Sequence, residues 1–194
     1  MSLQPLRSWR FWVPLLVQTA LIAAIPAQAV YTHLTGKTVV LQTVPVDPYD
    51  LLRGYSQTLG YDISTLDTLR KLPGWKTLPL EARNSLKENT VLYVILQLPE
   101  QKPGRPIAWK PVGVSQDRPT SLPSNQVALK GRVQYGQVDY GLSTYYLPET
   151  RRDEVNRAIQ ESQRKQSAVV EIKVDAQGNA VPLRLWLSDR SYEF

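Results

Sequence analysis

Residues 46–64 read VDPYDLLRGYSQTLGYDIS and combine several side-chain types that build catalytic or binding sites. Asp47 and Asp50 lie three positions apart across Pro48, so the two carboxylates are candidates for general acid–base chemistry. A local role is favoured, because an aspartate before a proline caps a turn and Asp50 can pair with Arg53. The pattern therefore predicts a structural loop.

A serine nucleophile is the second chemistry that this stretch allows. Ser56 follows Gly54, and a lysine with a lowered pKa, such as Lys130, can activate a serine when the lysine is buried. Lys130 falls on the polar phase of a predicted strand, which indicates a solvated ammonium. The chain has no Cys and His33 is its single His, so Cys nucleophiles and multi-His metal sites are excluded.

Cofactor and metal motifs are also lacking from the sequence. No phosphate-binding loop, dinucleotide fingerprint or nucleophile elbow occurs in it. The segment 175–179 (DAQGN) resembles the start of a calcium loop but departs from that template at the third position, and no bidentate Glu follows. It predicts a hairpin turn, and we expect neither a cofactor nor a metal.

The elements that must position these residues begin with an apolar segment. Residues 11–30 carry no charged side chain and are long enough to cross a bilayer as a helix. Arg7 and Arg10 precede them, which predicts a cytoplasmic tail over 1–10, a transmembrane helix over 11–31 and an extracytoplasmic domain over 36–194. Aromatic residues flank the segment as an interfacial belt: Trp9, Phe11, Trp12 and Tyr31.

A cleaved signal peptide is the alternative interpretation of this segment. Ala27-Gln28-Ala29 matches a small-residue cleavage site, and the two arginines match a charged leader region. Cleavage after Ala29 would release a soluble product beginning at Val30. Both interpretations export the domain.

Beyond residue 36 the sequence is dominated by strand patterns. Proline and glycine punctuate short apolar or alternating runs, which predict strands over 37–44, 55–63, 91–98, 108–114, 127–133 and 140–147, and a terminal hairpin over 170–187. Residues 91–98 are apolar on both faces and predict a central strand covered on both faces, whereas Pro111 predicts an edge strand. Residues 80–88 after Pro79 predict a short helix, and Thr150 begins an amphipathic one.

These patterns predict a mainly β, β-rich α+β fold. It consists of a single N-terminal transmembrane helix and one antiparallel sandwich- or barrel-like domain of about eight strands with one amphipathic helix. The formal net charge of +6 is scattered, and the basic residues after 150 alternate with acidic ones. This is typical of a solvated helix face and argues against nucleic-acid binding.

The stretch around Asp47 resembles the GDYXXLXY protein family. Pro45-Val46-Asp47-Pro48, Leu51-Leu52-Arg53-Gly54 and Leu59-x-Tyr61 carry the likeness, as do blocks at 35–37, 91–94, 129–133, 140–149 and 174–178. Gly54, Leu59 and Tyr61 match the naming motif, while Tyr55 and Ser56 replace its Asp and Tyr. The resemblance implies a membrane-anchored accessory protein with an integral membrane partner and no established catalytic residue.

The sequence thus favours a non-enzymatic tethered domain that binds a membrane protein. A Ser56 hydrolase and an envelope module for a small ligand or polysaccharide are the alternatives. Asp47, Pro48, Asp50, Arg53, Gly54, Leu59 and Tyr61 are expected to shape the membrane-proximal loop. The candidate interaction residues are aromatic, a type enriched at binding hot spots, although each also suits a core: Tyr49, Tyr55, Trp75, Trp109 and Trp186.

Overall fold

The computed structural model describes residues 9–44, 56–58, 60–81, 85–100, 106–142, 144–146, 168–187 and 190–193. Its helices and strands follow in the order α1 (Trp9–Thr35), β1 (Lys37–Val44), β2 (Ser56–Thr58), β3 (Gly60–Tyr61), α2 (Leu66–Leu69), β4 (Leu80–Glu81), β5 (Ser85–Leu86), β6 (Val91–Gln97), β7 (Lys110–Ser115), β8 (Gln126–Gln134), β9 (Gln137–Asp139), β10 (Thr144–Tyr146), β11 (Ala168–Val174), β12 (Ala180–Leu187) and β13 (Arg190–Glu193).

The N-terminal helix α1 is 27 residues long, and Thr32 is the one residue in it that is buried. Its large apolar side chains are exposed along the whole length, as suits a helix surrounded by lipid. Among the described residues, α1 is the one helix long and apolar enough to cross a membrane. The predicted span 11–31 lies inside α1, which continues to Thr35.

A five-stranded antiparallel sheet has the order β13-β12-β11-β1-β3. Its β-branched strand β1 coincides with the predicted first strand, and β11 and β12 form the predicted terminal hairpin. The last strand, β13, was not predicted from the sequence. It pairs with β12 in a register that sets Leu185 opposite Tyr192, and both side chains are buried.

A second, four-stranded sheet has the order β7-β6-β8-β9. The prediction of β6 as a central strand and of the Pro111-containing β7 as an edge strand is confirmed. Burial alternates along β6, so one of its faces is fully covered and the other only half covered. Tyr135 and Gly136 join β8 to β9 with positive φ angles of 52° and 72°, as a two-residue type I′ turn requires.

Three local predictions are corrected by the structure. Residues 80–88 contain no described helix, because β4 and β5 pair as a ribbon that buries Leu86, and so short a helix has little stability of its own. The predicted strand 140–147 is divided, since the chain leaves β9 after Asp139 and β10 pairs with β2. The predicted strand 55–63 becomes β2, β3 and the 3₁₀ turn Asp62–Ser64. The predicted helix from Thr150 lies outside the described residues.

The two larger sheets share one hydrophobic core. Backbone hydrogen bonds also link them at two places: the Trp109 N–H donates to the Val40 carbonyl at 2.8 Å, and the Lys130 N–H donates to the Gly178 carbonyl at 2.9 Å. The expected mainly β architecture behind one apolar helix is therefore confirmed. Its described strands number more than the eight expected because several have only two or three residues.

Candidate functional site at the helix–domain junction

The apolar helix α1 passes into the domain with almost no connecting chain. Gly36 alone separates α1 from β1, and its N–H donates to the Thr32 carbonyl at 2.9 Å. A Cβ atom at Gly36 would lie 2.5 Å from the Thr32 carbonyl oxygen and 3.0 Å from the Val174 backbone. The junction therefore requires glycine, because the last turn of α1 and the end of β11 both lie too close to this position for a side chain.

A buried side-chain hydrogen bond fastens the last turn of α1 to the domain. The Thr32 Oγ1 hydroxyl donates to Asp175 Oδ2 at 2.7 Å, across 143 residues of sequence. Thr32 and Asp175 are 1% and 5% exposed. Because both groups are withdrawn from water, the bond couples the orientation of the helix to that of the domain.

Asp175 also organises the turn between β11 and β12. Its Oδ1 accepts hydrogen bonds from the Gln177 and Asn179 backbone N–H groups, each at 2.9 Å. The Asn179 side-chain amide donates to Oδ2 at 3.1 Å, and Gly178 adopts the left-handed φ of 87° that closes the turn. The segment 175–179 is thus the predicted hairpin turn, with its aspartate facing inward toward the helix.

Burial and hydrogen bonding act on the Asp175 carboxyl in opposite directions. Burial raises its pKa, and the hydrogen bonds from Thr32, Asn179 and Gln177 lower it, so that the net pKa is below the usual value. The group is therefore a carboxylate at neutral pH, and the Thr32 bond is charge-assisted. This arrangement suits structural clamping and not proton transfer.

Two tyrosines form a second constellation, here called the tyrosine clamp. The Tyr61 hydroxyl donates to the Leu142 carbonyl at 2.8 Å, and the Tyr140 hydroxyl donates to the Ile63 carbonyl at 2.6 Å. All four residues are buried. The clamp therefore ties the segment that ends the predicted membrane-proximal loop to the segment after β9.

The tyrosine clamp lies in a buried, largely desolvated part of the domain. Burial raises the pKa of Tyr140, and the nearby Asp62 charge raises it further. Burial likewise raises the pKa of Asp62, although the Ile63 N–H, which donates to its Oδ1 at 2.8 Å, opposes the shift. A Cβ atom at Gly131 would lie 2.3 Å from Val138 Cγ1 and 2.8 Å from the Tyr140 ring, so glycine makes room for both side chains.

A cavity of about 250 Å³ lies between the end of β9 and the turn 175–179. Its polar lining comes from Lys130, Arg132, Asp139 and Asn179, and Tyr140 is the aromatic residue among the lining. The Tyr140 hydroxyl donates to the Ile63 carbonyl. The charged side chains that line the cavity are those of Lys130, Arg132 and Asp139. Within the described part of the chain, no group of three His, Asp or Glu side chains is placed to hold a metal ion.

Most of the predicted loop residues lie outside the described residues: Asp47, Pro48, Asp50, Arg53, Gly54 and Leu59. Two of the candidate interaction residues, Tyr49 and Tyr55, also lie outside them. Their roles remain predictions. Tyr61 is described, and it forms part of the tyrosine clamp. Ser56 lies in β2 opposite Tyr146, whereas Lys130 belongs to the four-stranded sheet.

The three candidate tryptophans differ in exposure. Trp75 and Trp109 are 3% and 9% exposed and belong to the core. Trp186 is half-buried; its Nε1–H donates to Glu171 at 3.1 Å, and the Arg184 guanidinium lies 5.9 Å from its ring centroid. Of the three, Trp186 alone leaves part of its side chain open to a partner.

Thr32 and Asp175 were not predicted as a pair. The sequence indicates a hairpin turn at 175–179 and a helix end near residue 31, but neither pattern shows that the two features meet. The one available signal was an aspartate at the start of a turn. Hydrogen bonds from the turn itself could have satisfied its carboxylate, so a bond to the helix was not indicated.

Comparison with known proteins gives one result. A family model described as GDYXXLXY protein matches residues 18–185, which is nearly the whole chain. No curated protein and no solved structure shows a significant match.

Proposed function

The chain belongs to the GDYXXLXY protein family, and from this premise we propose that it is a membrane-anchored accessory protein whose β-rich domain binds an integral membrane protein at the extracytoplasmic face. The observation that carries the proposal is the buried Thr32–Asp175 hydrogen bond. A domain fixed to its membrane helix presents the same surface along the membrane plane, which lowers the entropic cost of binding a neighbour there. Such fixation therefore favours a partner that lies in the same membrane.

The junction supports a retained anchor over a cleaved signal peptide. Cleavage after Ala29 would remove the helical turn that precedes Thr32. Only the short remainder of α1 would then hold Thr32 in place for its bond to Asp175. Arg7 and Arg10 support a cytoplasmic N-terminus by the positive-inside rule. The proposed protein therefore crosses the membrane once, with its domain outside the cytoplasm.

The alternatives gain less support from the described residues. A Ser56 hydrolase activated by Lys130 needs a buried lysine, and the Lys130 side chain is exposed. A ligand-binding module suits a deep aromatic-lined pocket, and the cavity beside Lys130 has Tyr140 as its aromatic side chain. Binding to a membrane protein is the function that benefits from a domain held in a fixed orientation on its helix.

Cross-linking of the full chain in intact membranes tests this proposal. We expect a covalent adduct with a multi-spanning membrane protein, and less adduct with Thr32→Val, which keeps the helix but lacks the buried bond. The adduct is identified by affinity purification and mass spectrometry, and the washed membranes are immunoblotted. Recovery of uncross-linked monomer alone would contradict the partner, and a soluble product starting at Val30 would contradict the anchor.

A further inference from the structure

The position of α1 sets the depth of the junction in the membrane. Residues 11–30 rise about 1.5 Å each and cover about 30 Å, which equals the thickness of the hydrocarbon core. Thr32 lies about 3 Å farther along the helix, whereas the headgroup layer is about 5–7 Å thick on each side. The Thr32–Asp175 bond, and the parts of the domain attached to it, therefore lie at headgroup level.

Three basic residues lie beside the junction glycine or the turn that contains Asp175, and they are here called the basic rim: Lys37, Arg118 and Lys130. Lys37 follows the junction glycine, and its Nζ donates to the Ser124 carbonyl at 3.1 Å. An Arg118 guanidinium nitrogen lies 3.5 Å from the Ala176 carbonyl of the turn. The Lys130 N–H is bonded to Gly178 of the same turn, and its side chain is exposed.

The charge of the basic rim is largely uncompensated. Its described side-chain contacts are with backbone carbonyls, which carry no net charge. Asp117 is exposed next to Arg118 in sequence, and Asp139 faces Arg132 across the β8–β9 ladder. The Asp175 carboxylate is buried and accepts bonds from Thr32 and the turn. The exposed surface of the rim therefore carries three cations against Asp117, and the cavity beside Lys130 adds one cation, Arg132, and one carboxylate, Asp139.

We propose that the basic rim binds the phosphate groups of anionic phospholipid headgroups, so that the domain contacts the membrane at a second place besides α1. Exposed lysine and arginine side chains at headgroup depth are attracted to anionic lipid, by a factor of about five in binding for each cation. The cavity beside Lys130 gives a headgroup a concave place between the turn and β9. Two attachments, helix and rim, would fix the tilt of the domain over the bilayer.

This inference depends on the membrane anchoring proposed above and is tested on the full chain in vesicles. The chain lacks Cys, so Ser121→Cys introduces a unique site for a fluorophore. Ser121 is exposed and lies in the loop 116–125, which Arg118 and Ser124 attach to the junction. Two kinds of vesicle carry the same headgroup-linked quencher. One consists of phosphatidylcholine, and in the other part of the phosphatidylcholine is replaced by phosphatidylglycerol.

We expect stronger quenching in the phosphatidylglycerol vesicles, and loss of the difference when Lys37, Arg118 and Lys130 are all changed to Gln. The matched control changes the exposed Lys71, Lys76 and Lys87 to Gln and should keep the difference. Equal quenching in both lipids, or an equal loss in the control, would overturn the inference. Failure to float with the vesicles would instead overturn the anchor, which separates the two proposals.

Discussion

Replacement of Asp175 by alanine is expected to lower the free energy of unfolding of the domain by about 3–5 kcal/mol. A hydrogen bond to a charged acceptor contributes about 1.5–3 kcal/mol, and water can replace only part of the bonds that Asp175 accepts. The Thr32 hydroxyl would remain buried without its acceptor. Pulse proteolysis of the full-length protein in detergent micelles, across a urea series, measures this change.

The same residue gives stability a defined dependence on pH. The pKa of Asp175 is lower in the folded than in the unfolded protein, so its contribution is complete above the unfolded value of about 3.9. It is lost as the pH falls through the folded pKa. The wild-type protein should therefore lose stability in acid below about pH 4, and Asp175→Asn should lack that component.

Thr32→Val separates the helix bond from the bonds within the turn. It keeps the side-chain shape and removes one donor, so we expect a loss of about 1–2 kcal/mol. Combined with Asp175→Ala, its effect should largely disappear, because the two groups interact directly. Additive effects of the two substitutions would show that the hydrogen bond does not stabilise the junction.

Loss of both hydroxyls of the tyrosine clamp is the second large effect that we expect. Tyr61→Phe and Tyr140→Phe should each lower the free energy of unfolding by about 1–2 kcal/mol, since each leaves a buried carbonyl without its donor. The double variant should lose about 2–4 kcal/mol if the bonds are independent. Pulse proteolysis across a urea series measures the free energy of unfolding of the two single variants and the double variant.

Tyr192 provides a matched control for the clamp. Its hydroxyl is buried and, within the described residues, lacks a hydrogen-bond partner. Tyr192→Phe should therefore leave stability unchanged or raise it slightly, because no bond is lost. If all three substitutions had the same effect, the clamp bonds would not be what stabilises this region.

The clamp gives a physical role to one residue of the family motif. Tyr61 matches the last position of that motif, and its partner segment begins with Tyr140 and Gly141, which belong to another block of the resemblance. The motif tyrosine thus fixes β3 to the segment that follows β9. Its described contacts concern the shape of this region and not a reaction.

The strands were predictable where local pattern and tertiary packing agree. The β-branched run 37–44 and the alternating run at 170–174 form strands because each buries apolar side chains in the shared core. Residues 80–88 have helix-favouring composition, but burial of Leu86 through pairing with β4 outweighs that weak preference. Short strands such as β3 depend on a distant partner and leave little local signal.

The junction could not be predicted for the same reason. In the sequence, Thr32 belongs to an apolar helix and Asp175 to a turn. The local pattern accounts for each residue without a distant partner. Their contact arises from the closure of β1 onto β11, which brings together residues that are 143 positions apart. Asp47 and Arg53 lie outside the described residues, so their structural role stays a prediction.

A pulsed electron paramagnetic resonance distance measurement in bilayers tests the central claim, that α1 and the domain move as one unit. Spin labels are placed at Ile25→Cys in α1 and Ser191→Cys in β13, two exposed positions in a chain without native Cys. A reference pair within the domain, Ser121→Cys and Ser191→Cys, gives the width expected of a rigid body. We predict an equally narrow distribution for the helix–domain pair, which broadens on adding Asp175→Ala. A broad helix–domain distribution in the protein with Asp175 intact would contradict the account.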